Sequence, residues 1–225
     1  MKLNSQVFKD LPFSPLDIFF IVFLTIPVFF SVLQAKLIKS MGYFTFIFGS
    51  ISPEIYERTA RQTIPSFVKS LMRGHITLHS ILGQYLELYN NTPFYDKSLH
   101  FLGSFILTIF FYYALSRDSK FWRAEQNAHR VIFEAFLLAN FAGILWEITE
   151  FVADRSFRIN AQRGLEDTML DLIFNLFGAY VASRVFFKLG INHFEESRKD
   201  DENGGKCAQE KCNRDSQSSD QLCST

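Results

Sequence analysis

Acidic residues and one histidine in the second half of the chain recur at spacings of three and four, which place them on common helix faces. Asp96 and His100 form the first such pair, and two acidic pairs follow. Carboxylates with an imidazole suit Mg²⁺, Mn²⁺ or Zn²⁺ as a cofactor, and a bound divalent cation can polarise a phosphoryl or carbonyl oxygen. All six residues are candidate catalytic residues, and all except Asp96 are candidate metal ligands: Asp96, His100, Glu147, Glu150, Asp167 and Asp171.

These residues lie on three polar stripes along otherwise apolar segments. Asp96 and His100 begin one apolar segment, and Glu147 and Glu150 end the next one. Asp167 and Asp171 begin the third. Up-down-up threading therefore brings all three stripes to one membrane face. A charge at the bilayer centre costs on the order of 3 kcal/mol, so such a meeting usually marks a functional site. The second stripe contains Asn140, Gly143, Glu147, Glu150 and Asp154, and the third contains Asp167, Asp171, Asn175 and Gly178.

Two other interpretations of these residues stay open. The stripes could line a proton or cation path, which needs the same arrangement. They could also form a buried ionic lock. The candidate partners of the carboxylates in such a lock are His100, Arg155, Arg158 and Arg163.

The composition is that of a protein with concentrated apolar segments. The chain has 225 residues, of which 48% are hydrophobic and 27 are phenylalanine, more than a soluble domain usually needs. Mean hydropathy is nevertheless close to zero, so the apolar residues must be grouped. A formal net charge of zero lacks the basic excess of a nucleic-acid binder, which excludes nucleic acid as a partner.

Apolar segments of this chain approach the length needed to cross about 30 Å of hydrocarbon. Residues 18–35 and 98–116 are clear candidates, and residues 130–153 and 168–187 are weaker ones. Apolar residues of the 64–89 segment follow a helical period, and this helix could cross the membrane or lie on its surface. The sequence predicts an all-α polytopic transmembrane bundle of about five spans, or four in the second case.

The helix at 64–89 carries another histidine pair at a spacing of four, His75 and His79. Histidines on an amphipathic helix are more often ordinary interfacial residues than ligands. Lysine and arginine are more frequent on the face that holds the C-terminus, so the positive-inside rule predicts a multi-pass protein of the cell membrane with a cytoplasmic C-terminus.

Three regions follow from this pattern: an N-terminal segment at 1–17, a transmembrane domain at 18–190, and a polar tail at 195–225 that is predicted to be disordered. All three cysteines, Cys207, Cys212 and Cys223, lie in the tail. Their spacing includes no paired C-x-x-C and the tail has no histidine, so solvated thiols are favoured over a metal knuckle.

Three ordered motifs resemble the YjdF family of bacterial and archaeal membrane proteins. They are YDKSLHFLGSF at Tyr95–Phe105, WEITEF at Trp146–Phe151 and QRGLEDTMLDLIFNLFGA at Gln162–Ala179. More distantly, the layout is similar to the VanZ-like proteins, some of which affect resistance to glycopeptide antibiotics. The resemblance implies that the six candidate residues are signature positions, but it supplies no reaction. Residues 36–61, rich in Lys and Arg, depart from the pattern as an insertion-like stretch.

Three functions fit such a pocket, and the sequence leaves open whether the protein is an enzyme. The first is a metal-dependent hydrolase or transferase that acts on a lipid or cell-envelope substrate. The second is a non-enzymatic, VanZ-like protein that binds an envelope ligand. The third is a proton- or ion-coupled transporter, against which the lack of an internal repeat argues mildly. In each case the lipid bilayer is the surrounding partner, and the oligomeric state is not indicated.

Overall fold

The computed structural model describes residues 14–92, 94–116, 125–157 and 162–188, and all regular structure within these ranges is helical. The all-α prediction is therefore confirmed. A π-helical segment, Leu78–Tyr85, continues the third helix. The predicted tail and most of the predicted N-terminal segment lie outside the described residues. The helices are α1 Pro15–Leu33, α2 Leu37–Ala60, α3 Ser66–Thr77, α4 Leu88–Asn91, α5 Tyr95–Leu115, α6 Glu125–Phe157 and α7 Leu165–Lys188.

Four of these helices, α1, α5, α6 and α7, are long and apolar enough to cross a membrane. Helix α1 begins slightly before the predicted span because Ser14 and Asp17 form a capping box that satisfies backbone N–H groups at its start. Pro15 occupies the first turn, where its missing N–H leaves no hydrogen bond unmade. Pro27 lies inside the helix, a position that membrane helices tolerate.

The stretch at 36–61, described from the sequence as insertion-like, forms helix α2. Its 24 residues correspond to a length of about 36 Å. A short turn joins it to α1, and the two helices pack together, with the hydroxyl of Ser40 donating to that of Ser31 at 2.9 Å. The charges in this stretch concentrate towards the two ends of the helix and obscure the apolar residues between: Lys36, Lys39, Arg58 and Arg61.

Helix α2, and the helix that α3 forms with its π-segment, run between the same two ends of the bundle as the four apolar helices. At one end, Gln62 after α2 donates to the carbonyl of Tyr113 near the end of α5 at 2.7 Å. At the other end, the rings of Phe30 and Tyr85 lie 6.3 Å apart. We call the end where α5 and α7 begin the site face, and the opposite end the C-terminal face.

The helix predicted at 64–89 is present as α3 and its π-segment. The hydroxyl of Tyr95 donates to the carbonyl of Leu78, where the wider turns start, at 2.9 Å. Near the end of the π-segment, Gly83 lies against the ring of Tyr89, and a Cβ at Gly83 would overlap that ring. The close approach lets the chain fold back into α4. Segments of π-helix are often found at functional sites, and this one carries His79.

A buried ionic network joins α1, α2 and α3 near the C-terminal face. Arg73 on α3 is fully buried and lies 2.7 Å from Asp17 on α1 and 2.5 Å from Glu54 on α2. Lys69 reaches Glu54 at 3.6 Å and Glu57 at 3.1 Å. Because the bilayer offers no water to solvate these groups, each charge depends on its partner. The network fixes the relative positions of the first three long helices.

If α2 crosses the membrane, its two ends are exposed on opposite sides. We expect single cysteines at Gln34 and Thr63, introduced after the three native cysteines are replaced by serine, to react with a membrane-impermeant maleimide from opposite sides of sealed vesicles. Both positions are exposed in the structure. Labelling of both from the same side would contradict a membrane-spanning α2.

Among the described residues, removal of Arg73 would leave the buried Asp17 without a cationic partner and Glu54 with Lys69 alone, at 3.6 Å. We expect Arg73→Ala to lower the free energy of unfolding by about 3–5 kcal/mol, measured by SDS-induced unfolding in mixed micelles. The control is Arg130→Ala, because the Arg130 side chain is 68% exposed and pairs, within the described part of the chain, with Glu134 four residues on; a surface pair of this kind contributes about 0.5 kcal/mol or less. Equal effects of the two substitutions would contradict the stabilising role of the network.

Candidate acidic and histidine site

The first turns of α5 supply the centre of the candidate site. Asp96, Lys97 and His100 lie at spacings that bring them close together on a helix, and α5 packs closely against α6. The start of α7 lies beside the start of α5, so residues from three helices meet at the site face. The predicted polar stripes thus face one another inside the bundle.

His100 is the point on which the carboxylates converge. Its Nε2 atom lies 3.6 Å from Oδ1 of Asp96, 3.6 Å from Oε1 of Glu147 and 3.7 Å from Oδ1 of Asp171. One ligand atom each from Asp96, His100 and Asp171 lie within 4.8 Å of one another. Two of these three residues belong to the predicted metal ligands, and Asp96 to the predicted catalytic set. The geometry is compatible with a divalent cation, and metal binding stays a prediction.

Lys97 is a site residue that is not among the candidates predicted from the sequence. Its Nζ atom lies 3.0 Å from Oδ1 of Asp171 and 3.3 Å from Oδ2 of Asp96, and it also contacts Asp167. Its side chain is 7% exposed. The sequence feature that could have identified Lys97 is its position directly after Asp96. Lys97 balances part of the negative charge at the start of α7.

Arg163, in the turn before α7, supplies the second cation. It donates to Oδ2 of Asp96 at 3.0 Å and to the carbonyl oxygen of Tyr89 at 3.1 Å. Of the partners considered for an ionic lock, Arg155 lies over the ring of Phe151 instead, and Arg158 is outside the described residues. Part of a lock therefore exists, formed by Arg163 and the unanticipated Lys97.

The lock leaves an excess of negative charge. Among the described residues, the four carboxylates of Asp96, Glu147, Asp167 and Asp171 share two permanent cations, Lys97 and Arg163, and a protonated His100 would add one more. Glu147 is 5% exposed. Among the described residues, the basic side chain that contacts it is His100 at 3.6 Å, and the side chain of Thr168 is its hydrogen-bond donor. A buried carboxylate without a permanent cation beside it is costly, which points to a missing proton or cation.

Glu150 and Asp154 lie away from this convergence. Glu150 accepts a hydrogen bond from the indole of Trp146 at 3.0 Å and faces a neighbouring cavity. Asp154 accepts a hydrogen bond from the backbone N–H of Gln162 at 2.8 Å, which ties the end of α6 to the turn before α7. Helical spacing placed both residues on the same stripe as Glu147, but only the structure separates their surroundings.

The cavity beside the cluster has a volume of about 570 Å³ and lies between α2, the π-segment and α6. Its charged residues are Asp96, Glu150 and Arg163, with Lys39 and Glu87 also on the wall. Five ring-bearing side chains contribute as well: Tyr43, Phe46, His79, Tyr89 and Trp146. Its size is within the range of small-molecule sites. Asp96 belongs both to this wall and to the convergent cluster, so a molecule in the cavity would reach the site.

The structure places His75 and His79 inside the bundle and not at its interface with lipid. The Nε2 atom of His75 would lie 2.8 Å from a Cβ at Gly103 of α5, and His79 packs edge-on against Trp146 with ring centroids 5.1 Å apart. The hydroxyl of Tyr89 contacts Nδ1 of His79. Burial and the charges of Asp96 and Glu150 raise the pKa of Tyr89, so the hydroxyl keeps its proton and donates it to this contact.

Small residues allow the three site helices to approach closely. A Cβ at Gly178 of α7 would overlap the backbone carbonyl of Phe101 on α5, and one at Gly143 of α6 would lie 2.6 Å from the amide nitrogen of Asn175. The hydroxyl of Ser104 donates to the amide oxygen of Asn175 at 2.8 Å. Close packing of small residues is typical of membrane helices, and here it holds the carboxylates of α6 and α7 near α5.

The helices and the cluster define a class of protein: a helical membrane protein with a buried acidic and histidine group. Comparison with known proteins agrees, because residues 16–191 match the family described as predicted membrane protein DUF2238, and the chain belongs to that family. It is 43% identical over 175 residues to a Thermotoga maritima protein described as uncharacterized, covering 77% of this chain and 90% of the relative. No solved structure matches the chain significantly.

The family match extends the resemblance seen in the motifs. It includes helix α2, so the stretch at 36–61 is part of the family domain and not an addition to it. The printed description supports the membrane location and assigns no reaction. The relation to VanZ-like proteins stays a prediction.

The approach of α7 to α5 can be tested at Gly178. We expect Gly178→Ala to lower the free energy of unfolding by about 1–3 kcal/mol, because the added methyl group meets backbone atoms and forces the helices apart. Gly42→Ala on α2 is the matched control, since a Cβ there meets nothing within 4 Å. SDS-induced unfolding of both variants is the measurement. A Gly178→Ala protein as stable as Gly42→Ala would contradict the close approach.

Proposed function

We propose that the protein is a divalent-cation-dependent membrane hydrolase or transferase that acts on a lipid phosphoester. The observation that carries this proposal is the shared position of Asp96. It belongs to the group whose ligand atoms converge with those of His100 and Asp171, and it also lines the cavity. A substrate in the cavity therefore meets the candidate cation site directly.

The charge of the cluster supports a cation more strongly than a closed ionic lock. Lys97 and Arg163 neutralise only part of the four carboxylates, and neither of these cations forms an ion pair with the buried Glu147. A divalent ion held by Asp96, His100 and Asp171, with Glu147 as a further ligand, would neutralise the excess. Oxygen ligands with one imidazole nitrogen suit Mg²⁺, Mn²⁺ or Zn²⁺.

The position of the cavity supports a lipid as the substrate. Helices α2 and α6 contribute opposite walls but do not pack against each other along their lengths, so a chain can enter between them from the bilayer. The exposed large side chains on both helices are mostly apolar, as the lipid-facing surface requires; Met41 and Phe44 on α2, and Leu145 and Val152 on α6, are examples.

The cation and the basic residues of the site would have separate roles. The cation supplies polarisation of a phosphoryl oxygen. Arg163 lies on the cavity wall, where its guanidinium can bind a second phosphoryl oxygen, and Lys97 holds the two aspartates of α7 in place. In hydrolysis, the oxygen of water bonds to phosphorus, the ester P–O bond breaks, and the proton of water goes to the leaving alcohol.

The site face would be the outer face of the cell membrane under this proposal. Arg61 after α2, Arg130 near the start of α6 and Lys188 at the end of α7 are exposed at the C-terminal face. Excess lysine and arginine mark the cytoplasmic side. The proposed substrate is then a lipid of the outer leaflet or of the cell envelope, and the C-terminus is cytoplasmic.

Metal content tests the proposal directly. We expect detergent-purified protein, reconstituted with Mg²⁺, Mn²⁺ and Zn²⁺ in turn, to hold one divalent ion per chain by inductively coupled plasma mass spectrometry. His100→Ala and Asp171→Asn each remove a proposed ligand, so their retention should fall by about tenfold or more. Glu134→Gln is the control, because Glu134 lies on α6, is 37% exposed and pairs with Arg130.

Melting temperatures and gel filtration of each variant separate loss of metal from loss of fold. A wild-type protein that holds no divalent ion after reconstitution would overturn the cation site and favour a buried ionic lock. Metal binding without release of headgroup phosphate from any vesicle lipid would instead favour a non-enzymatic ligand-binding protein of the VanZ-like kind.

A further inference from the structure

The carboxylate of Glu150 lies on the wall of the cavity. Among the described residues, it accepts a hydrogen bond from the indole of Trp146 and forms no ion pair with a lysine or arginine. Helical spacing places Glu150 three residues after Glu147, about 5–6 Å away between Cβ atoms. On one turn of α6, the carboxylate of Glu147 therefore faces the candidate cation site, and that of Glu150 faces the cavity.

Aromatic side chains surround this part of the cavity. Trp146 and Tyr89 lie beside Glu150 on the wall, and Tyr43 and Phe46 of α2 lie across from them. The faces of aromatic rings attract cations, and the attraction grows where water is excluded. A carboxylate among aromatic rings is a suitable environment for an ammonium group.

The charges on the cavity wall disfavour an anionic headgroup at this position. Glu87, Asp96 and Glu150 contribute three carboxylates, whereas Lys39 and Arg163 contribute two cations. Arg163 already pairs with Asp96 at 3.0 Å, and its guanidinium lies over the ring of Tyr89 at 5.5 Å. The charge of Arg163 is therefore largely neutralised, and the three carboxylates of the wall outnumber its two cations, which disfavours a second anionic group near Glu150.

We infer that Glu150 and the aromatic wall bind the ammonium group of an ethanolamine-type phosphoester, whose phosphate faces the cluster at Asp96. The inference rests on the proposed function and specifies its substrate class as an aminophospholipid. The distance between Glu147 and Glu150, one turn of α6, is similar to the distance between a phosphate and an amine joined by a two-carbon linker. A serine headgroup would add a carboxylate beside three others and is therefore disfavoured.

The fluorescence of Trp146 provides a local measurement of binding. The chain has two tryptophans, so Trp122→Phe leaves Trp146 as the only reporter. In this background, with Mn²⁺ present, we expect dihexanoylphosphatidylethanolamine to bind about tenfold more tightly than dihexanoylphosphatidylglycerol. Glu150→Gln keeps an oxygen to accept the indole hydrogen bond but removes the charge, so it should abolish the preference. Glu134→Gln should retain it.

Each result decides a separate point. Equal affinity for the two lipids, or a preference that persists in Glu150→Gln, would overturn the inference. Soluble phosphoethanolamine that binds as tightly as the lipid would overturn a lipid source for the headgroup. Metal content, measured on the same samples, tests the proposed function separately: a metal-free wild type that still prefers ethanolamine would reject the cation site and keep the ammonium site.

Discussion

Neutralisation of buried charge is the constraint on which this bundle depends. Groups that would be solvated on a water-soluble protein are enclosed by helices in an apolar surrounding, where an isolated charge is costly. Near the C-terminal face, Arg73 and Lys69 meet the carboxylates of α1 and α2. At the site face, Lys97 and Arg163 meet those of α5 and α7. The first cluster joins α1, α2 and α3, whereas the second joins α5, α6 and α7.

The two clusters differ in how completely their charges are matched. At the C-terminal face, two cations lie among three carboxylates, and Glu57 also accepts the backbone N–H of Ile64 at 2.6 Å. The site face has more carboxylates, a histidine within 4 Å of three of them, and a cavity that reaches its edge. The first cluster is therefore suited to holding helices together, whereas the second is suited to binding a cation or a small ligand.

Close packing converts three polar stripes into one site. Gly178 and Gly143 let α7 approach α5 and α6, which brings side chains from distant parts of the sequence within a few ångströms of His100. On the other side of the cluster, α2 stays apart from α6, and the space between them is the cavity. Tight packing on one side and separation on the other together give a site that is buried but reachable.

The sequence by itself determined the apolar spans and the three acidic stripes, because both depend on local periodicity along a helix. It missed helix α2, whose terminal charges resemble a loop, and it did not identify Lys97 as a site residue. Only the tertiary structure decided which charges pair, since Lys97 with Asp171 and Arg73 with Asp17 are contacts between residues distant in sequence. It also separated Glu147 from Glu150, because two residues on one stripe acquire different surroundings only when other helices pack against them.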